Sequence, residues 1–115
     1  MNKFEVILCI VNSGFAEAAM DAAKQVGARG GTIIHGRGTA SKEAEKFFNI
    51  TIQPEKEIVM ILTATNIKDG ILKALYNAVG TNTPAQGIAF TMPVEDVVGI
   101  STGKEKKWNK RKQKK

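Results

Sequence analysis

The chain has 115 residues, 43% of them hydrophobic, with one cysteine, one histidine and a formal net charge of +6. That length carries one core and not two, which excludes a multidomain enzyme and wholesale disorder, and a lone thiol excludes a disulfide framework or a cysteine-rich zinc site. No apolar stretch reaches the roughly 18 residues of a membrane span, and Glu5 breaks the N-terminal run where a signal peptide would be uniformly apolar, so a soluble, cytoplasmic, single-domain protein is expected.

Lys3–Val11 is an apolar run rich in Val and Ile that stops at Asn12-Ser13-Gly14, as a buried strand does. Ser13 is placed to cap the helix that follows, and Phe15, Ala19, Ala22, Ala23 and Val26 share one face of it before Gly27 ends it. Gly30-Gly31 leads into a short strand, Thr32–His35, and then into the turn Gly36-Arg37-Gly38-Thr39. Ser41 to Phe48 has an exposed helical pattern. Glu57–Thr63 is the strongest strand, and a second helix begins at Asn66 with Ile67, Ile71, Ala74, Leu75, Ala78 and Val79 on its apolar face. Gly80 ends that helix, 81–86 is a loop, and Gly87–Met92 is a last strand stopped by Pro93. Val94–Val98 has the apolar spacing of one helical turn.

The order β-α-β-β-α-β predicts an α+β protein with a ferredoxin-like fold, one antiparallel sheet with two helices on one face. In the first strand Phe4, Val6, Leu8 and Ile10 fall on one face and Ile7, Cys9 and Val11 on the other. In the third, Ile58, Met60 and Leu62 oppose Val59 and Ile61. Two apolar faces on a sheet covered on one side predict a homo-oligomer.

The charge divides unevenly. Residues 104–115 carry eight basic side chains against Glu105, so this tail is +7 and the remainder is −1. The chain thus divides into a folded domain over 1–103 and a basic tail over 104–115, expected to be solvated and disordered. Such a tail suits an anionic membrane or nucleic acid, with Trp108 as an interfacial contact, but the body has no basic stripe to match.

No catalytic constellation is visible, and no catalytic residue or metal ligand is assigned. Glu95 and Asp96 read as helix N-terminal charges, Glu55 and Glu57 as an exposed strand end, and His35 as a hydrogen-bonded structural residue. Gly14 opens the first helix, where backbone amides could take an anion, but no phosphate-loop fingerprint is present. Two glycine loops carry more information. Arg37 between Gly36 and Gly38 can set a guanidinium beside an anion that backbone amides also approach. The loop Thr81–Gly87 offers hydroxyl and amide donors. Subunits packed side by side would bring these loops together across a cleft.

Several stretches together resemble the nitrogen-regulatory PII signalling family, in its divergent PII-like branch. They are Gly27-Ala28-Arg29-Gly30-Gly31-Thr32, the turn at 36–38, Pro54-Glu55-Lys56-Glu57-Ile58-Val59, Gly87-Ile88-Ala89-Phe90 with Pro93-Val94-Glu95-Asp96-Val97, and Thr102-Gly103. The resemblance implies a homotrimer with a long T-loop at about 38–53 and adenine-nucleotide sites between subunits. It implies a regulator rather than an enzyme, one that requires no cofactor and acts on a partner protein such as a membrane transporter through the T-loop. Carried onto this sequence, Gly36, Arg37, Gly38 and Thr39 line one side of the site and Gln86, Gly87 and Ile88 the other, with Lys56 supporting the anion and Phe47 and Phe48 meeting the partner.

The sequence also departs from the family pattern. Its only tyrosine, Tyr76, lies in the second helix and not in the T-loop, so uridylylation is not expected. Ile88 stands where the family has a phosphate-binding lysine, and Gly99 and Ser101 where it has arginines. Each lost charge-assisted bond is worth about 1.5–3 kcal/mol, which shifts the expected effector from ATP toward ADP, AMP or cyclic AMP. Two alternatives share the fold. A CutA-type cation-tolerance protein is disfavoured by the scarcity of His and Cys, and an RNA-binding ferredoxin-like module would need exposed aromatics on the sheet, for which Phe4 and Phe90 are the candidates.

Overall fold

A computed structural model of the chain describes residues 3–39 and 54–99. Six elements follow in the expected order: β1 Phe4–Asn12, α1 Ala16–Gln25, β2 Thr32–Arg37, β3 Glu55–Ala64, α2 Thr65–Val79 and β4 Ile88–Val94. The strands form one antiparallel sheet in the order β2-β3-β1-β4. Both helices lie on one face, α1 against α2 and β3, α2 against β1 and β4. This is the ferredoxin-like arrangement that the pattern predicted.

The core forms where strand alternation meets helical spacing. Ile7, Cys9 and Val11 of β1 and Val59 and Ile61 of β3 point into the helix layer, and each is fully buried. Ala16, Ala19, Met20 and Ala23 of α1 recur at the spacing of one helical stripe. Their mostly small side chains bring that helix close to the sheet. Ile71, Leu75 and Val79 do the same for α2 at intervals of four. The end of α1 shows why a glycine is needed there. Gly27 has φ +112°, its N–H donates to the Lys24 carbonyl, and the Ala28 N–H reaches back to Ala23 at 3.0 Å. That pair of bonds is a Schellman cap, which requires a left-handed residue.

Five local expectations change. The buried stripe of α1 includes Ala16 and Met20 in place of Phe15, Ala22 and Val26, and Val26 is exposed. Ser13 does not cap α1: Phe15 holds the N-cap position and makes no side-chain cap bond. The carboxylate of Glu57 does that work instead, as described below. Helix α2 starts at Thr65, directly after β3, rather than at Asn66. Pro93 does not stop β4, which runs through it to Val94 while Pro93 stands opposite Glu5. Strand β4 is at the sheet's edge, where the missing N–H of proline need not cost a ladder bond. Residues 95–98 form no helical turn, so Glu95 and Asp96 are not helix N-terminal charges. The polar segment 41–48, with Phe47 and Phe48, and the basic tail 104–115 lie outside the described residues.

Candidate functional site

The antiparallel order places the end of β2, the start of β3, the end of β1 and the start of β4 at one end of the sheet. The sequence-predicted residues therefore converge: Gly36 and Arg37 close β2, Gly38 and Thr39 follow it, Lys56 opens β3, and Gln86 and Gly87 lead into β4 at Ile88. Within one chain they do not form one enclosed site. Strands β2 and β4 are opposite edges of the sheet, with β3 and β1 between them.

On the β2–β3 side, the Gly38 N–H donates to the Pro54 carbonyl at 2.6 Å, closing the root of the connection between the two strands. Gly36 stands opposite Lys56, and Arg37 opposite Glu55. Alternation then sends Lys56 to the open face with Ile58 and Met60, and Arg37 to the helix-bearing face with His35. A Cβ on Gly38 would stand 2.9 Å from Lys56 Cε, so the glycine leaves room for the lysine stem to cross it. Lys56 is half-buried, and its ammonium donates to Asn12 Oδ1 at 2.7 Å. Arg37 and Thr39 are exposed.

On the β4 side, Gln86 has φ +47° and Gly87 is buried, with its N–H donating to the Val79 carbonyl at 2.7 Å. A Cβ at Gly87 would overlap that carbonyl oxygen, so the loop reaches the end of α2 only with glycine there. Ile88 is 54% exposed. It borders a groove of about 350 Å³ between α2 and β4, walled by Leu72, Tyr76 and Val79, with Cys9 at its base. Burial pushes the Cys9 thiol up to about 11, which keeps it protonated and unreactive at neutral pH.

Two residues outside the predicted set hold this end together. Asn12, read as a strand terminator, donates through Nδ2 to the Pro84 carbonyl at 3.0 Å while it accepts from Lys56. Glu57, read as an exposed strand end, turns Oε1 to the Gly14 and Ala16 amides at 2.8 and 3.1 Å. Its Oε2 stands 3.8 Å from His35 Nδ1. The helix N-terminus that could have taken an anion is thus occupied by the chain's own carboxylate. No local pattern marks either residue, because their side-chain hydrogen-bond partners are 41 to 72 positions away. Among the described residues, no three His, Cys, Asp or Glu side chains are grouped to hold a metal ion. No described helix is long and apolar enough to cross a membrane.

Known proteins share this architecture. The crystal structure of Arabidopsis thaliana PII bound to citrate is similar to it with a TM-score of 0.66 and 21% identity, over 90% of this chain and 85% of that one. A putative PII-like signalling protein from Thermus thermophilus is similar with a TM-score of 0.61 and 17% identity, over 81% of this chain and 87% of that one. At these identities the two structures speak for the fold. The family described as nitrogen regulatory protein P-II matches residues 4–104, nearly the whole domain read from the sequence. The chain therefore belongs to the nitrogen regulatory P-II family.

Proposed function

We propose that the chain is a trimeric, cytoplasmic PII-type regulator that binds an adenine nucleotide in the clefts between subunits and controls a partner protein through the 38–53 connection. It is a regulator rather than an enzyme and requires no cofactor. The observation that carries the reading is the convergence of the glycine loops at one end of the sheet, on opposite edges. A neighbouring subunit would complete each half-site, with Gly36, Arg37, Gly38, Thr39 and Lys56 from one chain facing Gln86, Gly87 and Ile88 from the next. The effector is an anion smaller than a fully gripped triphosphate, in keeping with Ile88 in place of a cation. Occupancy then orders or releases the 38–53 connection, an order–disorder switch that changes affinity for the partner. Phe47 and Phe48 meet that partner, for which a membrane transporter is the expected class, and the basic tail suits the anionic cytoplasmic face.

Calorimetric titration with ATP, ADP, AMP and cyclic AMP, with and without Mg²⁺, tests the reading. Arg37→Ala should weaken the best nucleotide by about tenfold or more, the loss expected when a charge-assisted contact is removed. Absence of heat and of thermal stabilisation with all four nucleotides overturns the nucleotide assignment.

A further inference from the structure

Asn12 closes β1 with its carboxamide engaged on both sides. Oδ1 accepts from Lys56 Nζ at 2.7 Å and Nδ2 donates to the Pro84 carbonyl at 3.0 Å, while the backbone N–H donates to the Ala85 carbonyl at 2.9 Å. The residue is 5% exposed. Among the described residues no buried side-chain polar atom lacks a partner. A primary amide offers an acceptor on one side and donors on the other, so a lysine facing a carbonyl across it permits only one orientation of the group. The Lys56 bond is charge-assisted and therefore the stronger of the two side-chain bonds. Lys56 lies two positions beyond Pro54, which anchors Gly38. Pro84 and Ala85 belong to the turn that sets Gly87 against α2, where the Gln86 N–H donates to the Thr83 carbonyl at 3.0 Å.

We propose that Asn12 is a positioning residue that couples the root of the 38–54 connection to the 83–87 turn. Lys56 orients the carboxamide, and the carboxamide holds the turn. An anionic ligand that draws the ammonium away from Oδ1 removes the orienting bond, and the turn loosens on the far side of β1. Occupancy near one loop is thereby felt at the other within a single chain. The ligand sense of this coupling rests on the proposed nucleotide site, whereas the mechanical link is a property of the ligand-free protein.

Amide hydrogen exchange on the full ligand-free chain tests the link. Lys56→Met keeps the stem and removes the ammonium. It should speed exchange at Asn12 and Gln86 about tenfold, as loss of a charge-assisted bond to a buried group predicts, while the Val59 and Ile61 amides of β3 exchange as before. Asn12→Asp keeps a partner for Lys56 but turns an acceptor toward the Pro84 carbonyl. It should free the Gln86 amide and leave Gly38 protected. Wild-type exchange at Asn12 and Gln86 in both variants overturns the proposal, and so does equal acceleration throughout the core, which would give Asn12 a merely structural role. Calorimetry with ATP, ADP, AMP and cyclic AMP separates the two readings. If none of the four binds but Lys56→Met frees the turn, the coupling stands without the nucleotide assignment. If one of them binds and the turn ignores Lys56→Met, the coupling alone fails.

Discussion

Cys9 shows how a single side chain's chemistry is set by where alternation sends it. It lies on the helix-facing side of β1, between Ile7 and Val11, and is fully buried. Desolvation disfavours the thiolate, so the thiol is raised from its ordinary 9.0 to about 11. The unfolded chain gives up this proton first as pH rises. The stability that comes from burying the neutral thiol is therefore complete below pH 9.0 and is lost as pH climbs through about 11. Two results are expected. At pH 8 the native thiol should react with a disulfide reagent roughly 100-fold more slowly than the urea-unfolded chain, from thiolate fraction alone. In the wild type the urea midpoint should fall between pH 9 and 11, and a Cys9→Ala variant should fall less over the same range. A native thiol as fast as the unfolded one would show that the groove between α2 and β4 admits water to the base of β1.

Helix α1 depends on a group that its own sequence does not contain. Its first amide, that of Ala16, and the Gly14 amide just before the helix are both met by Glu57, 41 and 43 positions away. A carboxylate there meets both orphan donors and the positive end of the helix dipole. Glu57→Ala should cost about 1 kcal/mol, the usual cost of losing a cap, read as a lower urea midpoint with unchanged slope, whereas Ser13→Ala should leave the midpoint nearly unmoved. The contrast marks what was legible in the sequence. Periodicity reports on residues a few positions apart, so the apolar faces of β1, β3 and α2 and the Gly27 cap could be read directly, whereas the face of α1 was read askew, because Ala16 and Met20 are buried and Val26 is exposed. The Glu57 cap could not, because Ser13 offered a local candidate and the true partner came from another strand. Pro93 misled for a related reason. A proline stops a strand only where its N–H would be needed, and that depends on sheet order, which places β4 at the edge. At the site, the 81–86 loop was visible as a loop, whereas Gly36 and Arg37, read as part of a turn, close β2. Spacing could not reveal that Arg37 and Lys56 stand in alternate register positions, opposite Glu55 and Gly36, or that Asn12 accepts a bond from Lys56.

At the scale of the whole molecule, the face of the sheet away from the helices is where further copies are expected to pack. Register aligns its side chains in cross-strand rows: Ile34, Ile58, Ile10 and Ile88 in one, Met60, Leu8 and Phe90 in the next, Leu62, Val6 and Met92 in the third. Leu62, Ile34, Phe90, Met92 and Ile88 are 37% to 54% exposed in the single chain. A contiguous apolar surface this broad is rare on a soluble monomer, and burying it against further copies is the economical outcome. The rows run across the sheet, so a charge in their middle would be desolvated by any close packing of copies on this face. Phe90 sits there, opposite Leu8. Sedimentation equilibrium of the wild type should give three times the chain mass of 12.4 kDa, and Phe90→Glu should shift it toward that of a single chain. Exchange protection of the buried Val59 and Ile61 amides should survive, since neither side chain lies on the open face. If Phe90→Glu sediments like the wild type, the subunits meet elsewhere. The two edge loops would then have no neighbour on this face to complete a site between chains.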